Sequence, residues 1–157
     1  MKPILFLDFD GVIRVDDDNN LLSSFDFSAD RIGSLYNLVR SVGAEVVVTS
    51  DWRTFESESK IRELISPLDR VLHQDWATRV TGSRWQEIQL WLMAHPGVEK
   101  FAVLDDYLPH FEGATRYLMD KLVLCSNRYG YIPHKMDRKL EDLLRPRNQE
   151  VPPDLSL

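Results

Sequence analysis

The sequence predicts an α/β fold with a central, mostly parallel sheet of about five strands. Three observations carry this. Short unbroken apolar runs recur along the chain, the form taken by strands buried on both faces. Segments with a 3.6-residue apolar period lie between them, and strands alternating with helices imply parallel pairing. Glycine and proline mark the joints between the two kinds of segment.

In chain order, Ile4-Leu5-Phe6-Leu7 is the first strand. Ile32, Leu35, Tyr36, Val39 and Val42 follow a helical period, and Gly43 stops that helix at the position where a left-handed residue is favoured. Val46-Val47-Val48 is the second run. Ile61, Leu64, Ile65 and Leu68 predict a short helix interrupted near Pro67, and Val71-Leu72 is a weaker strand. Trp85, Ile88, Trp91 and Leu92 mark a third helix, with Ser83 and Gln86 spaced as a capping box and His95-Pro96-Gly97 as its end. Phe101-Ala102-Val103-Leu104 and Leu122-Val123-Leu124 are the remaining strands, and Met136, Leu140, Leu143 and Leu144 mark the last helix.

At 157 residues and 43% apolar, the chain has the size of one domain able to bury a core. Residues 1–144 are read as that domain and 145–157, with Pro146, Pro152 and Pro153, as an extended tail. The net charge of −6 supplies no general attraction to nucleic acid or anionic membrane. The single cysteine, Cys125, follows an apolar run and has no motif around it, which suits a buried thiol in a reducing compartment. No apolar stretch is long enough for a signal core or a membrane span. A cytoplasmic protein is expected, with its oligomeric state open.

Ligands of open α/β sheets bind at the carboxyl ends of the strands. The first run is followed by Asp8-Phe9-Asp10-Gly11, the second by Thr49-Ser50-Asp51-Trp52-Arg53, and the Phe101 run by Asp105-Asp106. Alternation puts Asp8 and Asp10 on one side of an extended segment. A carboxylate there can attack phosphorus, and a second can protonate the leaving oxygen and then deprotonate water. Gly11 allows a sharp turn beside a ligand. Asp105 and Asp106 add the hard oxygens that Mg2+ takes. Thr49 or Ser50 can hydrogen-bond a phosphoryl oxygen, although either also suits a helix cap. Arg84 sits in the first turn of a capped helix, where a guanidinium balances phosphate charge. Arg53 fits a structural ion pair better than a phosphate contact. Of the histidines, only His110 lies near the acids in sequence.

The ordered set Phe6-Leu7-Asp8-Phe9-Asp10-Gly11-Val12, Val47-Val48-Thr49-Ser50, Arg84 and Leu104-Asp105-Asp106 resembles the haloacid dehalogenase (HAD) superfamily of phosphatases. The Thr49 segment and the Arg84 helix look most like the small HAD domains associated with nucleic-acid repair proteins. The resemblance implies a Rossmann-like three-layer sandwich and a Mg2+-dependent phosphomonoesterase. It makes Asp8 the nucleophile and Asp10 the acid/base, with Thr49, Ser50, Arg84 and Gly11 around the phosphate. It assigns the metal to Asp8, the backbone carbonyl of Asp10 and Asp105, supported by Asp106. Arg84 stands where the family usually has lysine, with Arg79 as the alternative.

Residues 11–48 and 50–83 leave no space for a large cap, only for a small flap at 14–27, where Asp16-Asp17-Asp18-Asn19-Asn20 reads as a solvated turn. An uncapped site suits a large substrate such as a nucleic-acid end, or a cap lent by a partner subunit. Arg128, Lys135, Arg138, Lys139, Arg145 and Arg147 form a basic segment that reads first as a solvated helix face and second as a backbone contact. Two other readings compete: a non-catalytic phosphate or Mg2+ binding module, and a receiver-like signalling domain. Both acids of the first motif argue against the former, and the late position of Asp105-Asp106 against the latter.

Overall fold

A computed structural model of the chain describes residues 1–15 and 27–145. Five parallel strands form one sheet in the order β3-β2-β1-β4-β5. Strand β1 is Ile4–Leu7, β2 Glu45–Val48, β3 Leu72–Ala77, β4 Phe101–Asp105 and β5 Leu122–Leu124. Helices α1 (Ala29–Val42), α2 (Trp52–Phe55), α3 (Glu58–Ile65), α4 (Arg84–Ala94), α5 (Arg116–Met119) and α6 (Pro133–Leu144) connect and cover them. This is the Rossmann-like α/β architecture predicted above.

The pleat divides the core into two layers. Leu5, Leu7, Val46, Val48, Ala102, Leu104 and Val123 meet α1, α3 and α6 on one face. Ile4, Phe6, Val47, Phe101, Val103 and Leu122 meet α4 and α5 on the other. Phe6 anchors the second layer, with its ring edge-on to Trp91 at 5.4 Å and to Phe101 at 5.9 Å.

The helix signals act as expected. Gly43 ends α1 at φ 67°, donating to the carbonyls of Arg40 and Val39. At the start of α4 the Gln86 side chain accepts the Ser83 N–H at 3.1 Å. The interruption expected near Pro67 is present, and the strand after it differs from prediction. Helix α3 stops at Ile65, before the cis Ser66–Pro67 bond, and Leu68–Val71 is a separate 3-10 turn. The weak strand at Val71-Leu72 extends instead to Ala77, because β3 is an edge strand and tolerates the polar residues His73, Gln74 and Asp75.

The proposed flap falls almost wholly on residues 16–26, and the tail on 146–157, outside the described residues. No helix among the described residues is long and apolar enough to cross a membrane. Cys125 is buried just after β5, and burial pushes its thiol up to about 12, the profile of an inert side chain.

Candidate active site

Strand register assembles the site. Leu7 stands opposite both Val48 of β2 and Leu104 of β4. One residue further on, Asp8, Thr49 and Asp105 therefore lie abreast, at a strand spacing of about 4.8 Å. The ladder continues past the apolar runs: Asp8 N–H donates to Leu104 at 3.1 Å and Thr49 N–H to Leu7 at 3.0 Å. Since β2 and β4 flank β1, the chain leaves β1 where strand order reverses, which is where open parallel sheets form a ligand crevice.

The acids converge there. Asp105 is fully buried, and its Oδ1 accepts the Tyr107 N–H at 2.8 Å and lies 3.2 Å from His110 Nδ1. Ligand atoms of Asp8, Asp105 and His110 all fall within 4.8 Å of one another. Asp106 lies over Gly11. The φ of Gly11 is +77°, and a Cβ there would stand 2.0 Å from Asp106 Oδ2, so both conformation and space demand glycine. The Gly11 N–H donates to the Arg14 carbonyl at 2.8 Å, so this residue supplies room at the site rather than a donor for phosphate.

Burial, reinforced by Asp105, holds the Asp8 carboxyl well above the ordinary value of 3.8; Arg84 opposes the shift and Asp106 adds to it. Burial also raises Asp106, while a hydrogen bond with Asp8 pulls the other way. The donor set is oxygen-rich and its acids repel each other, which is the chemistry a divalent cation satisfies. Asp8 and Asp105, with His110 and Asp106 beside them, could therefore hold a divalent cation.

Arg84 is the basic residue beside Asp8. It is buried at the first position of α4, with Nη1 3.4 Å from Asp8 Oδ1 and Nη2 3.4 Å from Asp51 Oδ1. It also donates to the Thr49 carbonyl. A cation at a helix N-terminus is normally disfavoured, and here Asp8 and Asp51 offset that. Arg79 is exposed and borders a different cavity, between β3 and α4, with Asp75 and Trp91. That cavity is the larger, about 310 Å³ against about 220 Å³ over Asp8, but it contains none of the clustered acids.

The Asp10 carboxylate lines the cleft with Asp8 and Asp106 and is held there by two side chains. Arg14 Nη1 binds it at 2.6 Å, and Trp52 Nε1 donates to its two oxygens at 3.3 and 3.2 Å. The Arg14 guanidinium lies 5.1 Å from the centroid of the Trp52 ring, so the three side chains form one unit. Ser50 lines the cleft and its Oγ accepts the Trp52 N–H at 3.3 Å. Thr49 Oγ1 is buried with no hydrogen-bond partner among the described residues.

Arg53 serves the frame. Its Nε donates to Thr78 at 2.8 Å, its Nη1 to Thr49 at 2.8 Å and Ser50 at 2.9 Å, and its Nη2 pairs with Glu87 at 3.0 Å. Burial lowers Arg53, and Glu87 counters the shift. Glu87 also accepts the Thr81 N–H at 2.9 Å, so the pair ties the loops after β2 and β3 to α4.

Sequence reasoning missed Arg14 and Trp52 as holders of Asp10, Tyr107 on the cleft wall, and Glu87 as the partner of Arg53. The spacing of Asp10 and Arg14 was a usable signal. The other three connect segments that only the fold brings together. In the basic segment, Lys139 donates to the Leu122 carbonyl at 2.8 Å and Arg145 pairs with Glu141 at 3.2 Å, so part of that charge is structural. Arg147 lies outside the described residues.

Comparison with known families agrees with this fold. The model of the HAD domain in Swiss Army Knife RNA repair proteins matches residues 4–136, from the start of β1 into α6. No curated protein matches the chain. With most of its length matched, the chain belongs to the family of HAD domains found in Swiss Army Knife RNA repair proteins.

Proposed function

We propose that this protein is a Mg2+-dependent phosphomonoesterase that works through a phosphoaspartate at Asp8 and acts on the phosphorylated end of a nucleic acid. The carrying observation is the meeting of Asp8, Asp105 and Asp106 in one cleft beside the guanidinium of Arg84. Without a cation the cluster holds a proton on Asp8, and with one bound it presents an ionised nucleophile to a phosphate. The family description supports the choice of nucleic acid. The absence of disulfide chemistry at Cys125 suits the cytoplasm.

Mg2+ held by Asp8, Asp105 and the Asp10 carbonyl would neutralise phosphoryl charge and hold the group in line. Arg84 and the Thr49 hydroxyl bind phosphoryl oxygens, and Ser50 closes the wall beside them. An Asp8 carboxylate oxygen attacks phosphorus, the ester P–O bond breaks, and Asp10 gives its proton to the leaving oxygen. Asp10 then takes a proton from water as that water attacks phosphorus. The bond from phosphorus to Asp8 breaks, releasing inorganic phosphate and restoring the carboxylate. Trp52 and Arg14 keep Asp10 at the mouth of the cleft, where the leaving group and the water must pass.

The test is a hydrolysis panel of nucleotides, sugar phosphates and 3′- or 5′-phosphorylated oligonucleotides, with Asp8→Asn as control. Turnover that needs Mg2+ and is lost in the variant supports the reading. Mg2+ binding without turnover of any ester would favour the binding module. A long-lived phospho-Asp8 that alters partner binding would favour the receiver.

A further inference from the structure

At about 220 Å³ the cleft over Asp8 is small and opens to solvent. A phosphoryl group, its cation and their waters fill it. The leaving group of any ester therefore lies on the rim, and the rim decides which esters are accepted.

We propose that Tyr107 is the specificity residue of this rim: its ring stacks on the terminal nucleobase of a single-stranded nucleic acid whose end phosphate sits at Asp8. This rests on the phosphatase reading above. Tyr107 lines the cleft with Asp8 and Asp106, yet remains 53% exposed. A surface tyrosine is ordinary in itself. This one is held in place. Its N–H is bound to Asp105 at 2.8 Å, its ring meets His110 edge-on at 4.8 Å and 77°, and a 3-10 turn with Pro109 follows directly. A ring fixed at its base presents a flat apolar face at small entropic cost, which is what stacking on a base requires.

The rest of the rim agrees. On the opposite side Trp52 is committed to Asp10, so it is not available as a platform. The next strand outward from β4 is β5, and the turn after it carries Tyr129, which is 54% exposed with the Arg128 guanidinium 5.4 Å from its ring centroid. All these strands are parallel, so Tyr107 and Tyr129 lie on the same carboxyl edge of the sheet. Tyr129 and Arg128 extend that edge with a ring and a cation, but Arg128 lies over the Tyr129 ring, so the open stacking face is that of Tyr107. A phosphotyrosine peptide also carries a planar leaving group, but it gives no use to a second ring and cation further along the edge.

The experiment compares Michaelis constants in Mg2+ for a dinucleotide bearing a 3′-phosphate, the same dinucleotide bearing a 5′-phosphate, a phosphotyrosine peptide and glycerol phosphate. In Tyr107→Ala the ratio of KM for the preferred dinucleotide to KM for glycerol phosphate rises about tenfold, and Tyr107→Phe restores it. Referring each value to glycerol phosphate cancels any general damage to the site. An unchanged ratio, or a larger change for the peptide than for either dinucleotide, overturns the proposal. If no ester is hydrolysed, the phosphatase reading fails by itself. Quenching of 2-aminopurine in the phosphorylated dinucleotide then tests the ring alone: loss of quenching in Tyr107→Ala upholds the stacking, and its absence in the unaltered protein overturns it.

Discussion

Replacing Thr49 with valine separates what the site needs from what the fold needs. The change keeps the branched shape and deletes Oγ1, which is fully buried and has no partner among the described residues. An unsatisfied buried hydroxyl costs about 1–3 kcal/mol, so its removal stabilises the protein by up to that amount. For a chain of this length that is roughly 2–12 °C in melting temperature. Thr49 follows Val48 as Asp8 follows its register partner Leu7, and the mechanism gives the hydroxyl a phosphoryl oxygen. Losing one preorganised donor of this kind lowers kcat by about 10²–10³. The expected result is thus a hotter melt and a slower enzyme, read by thermal denaturation without Mg2+ and by steady-state kinetics with it. A cooler melt would show that Oγ1 is satisfied in the fold. A hotter melt with full activity would pass the phosphate contact to Ser50.

Three further outcomes follow from the geometry. Burial and Asp105 hold the Asp8 carboxyl above 3.8, so the folded, cation-free protein keeps a proton that the unfolded chain releases. Its stability falls as pH rises from about 3.8 through the raised value, Asp8→Asn removes that slope, and calorimetry shows Mg2+ binding releasing protons and tightening with pH. In Glu87→Gln the Arg53 charge is left buried without its partner, both side chains being 5% exposed or less, at a cost of about 3–5 kcal/mol by denaturant unfolding. Gly11→Ala puts a methyl into a left-handed residue 2.0 Å from Asp106 Oδ2; it costs about 1–2 kcal/mol in backbone conformation and displaces Asp106, so Mg2+ affinity measured by titration falls with stability.

Much of this was legible in the sequence because parallel strands bury both faces. Residues such as Ile4 to Leu7 must then be apolar without interruption, and the first polar residue after them marks the carboxyl edge where ligands bind. Asp8, Thr49 and Asp105 were readable on that ground alone, and Gly43, Ser83 and Gln86 announced the helix ends through local backbone chemistry. Strand β3 was read short because an edge strand carries His73, Gln74 and Asp75, which break the apolar run. Arg53 and Glu87 lie in different elements, and nothing local tells a buried guanidinium from a surface one. Loop length alone left both Arg84 and Arg79 open in the sequence; the fold puts Arg84 on α4 beside Asp8 and Arg79 in the preceding loop. The hold of Arg14 and Trp52 on Asp10 required the loops after β1 and β2 to meet, a tertiary fact with no periodic trace.

The central claim is that phosphorus becomes bonded to Asp8. Acid-quenching a reaction during turnover, reducing it with borohydride and sequencing the peptides by mass spectrometry tests this directly, because reduction converts an aspartyl phosphate to homoserine. The account predicts homoserine at position 8, formed only when both Mg2+ and substrate are present. Continued turnover with homoserine at another aspartate, or with none at all, would contradict it.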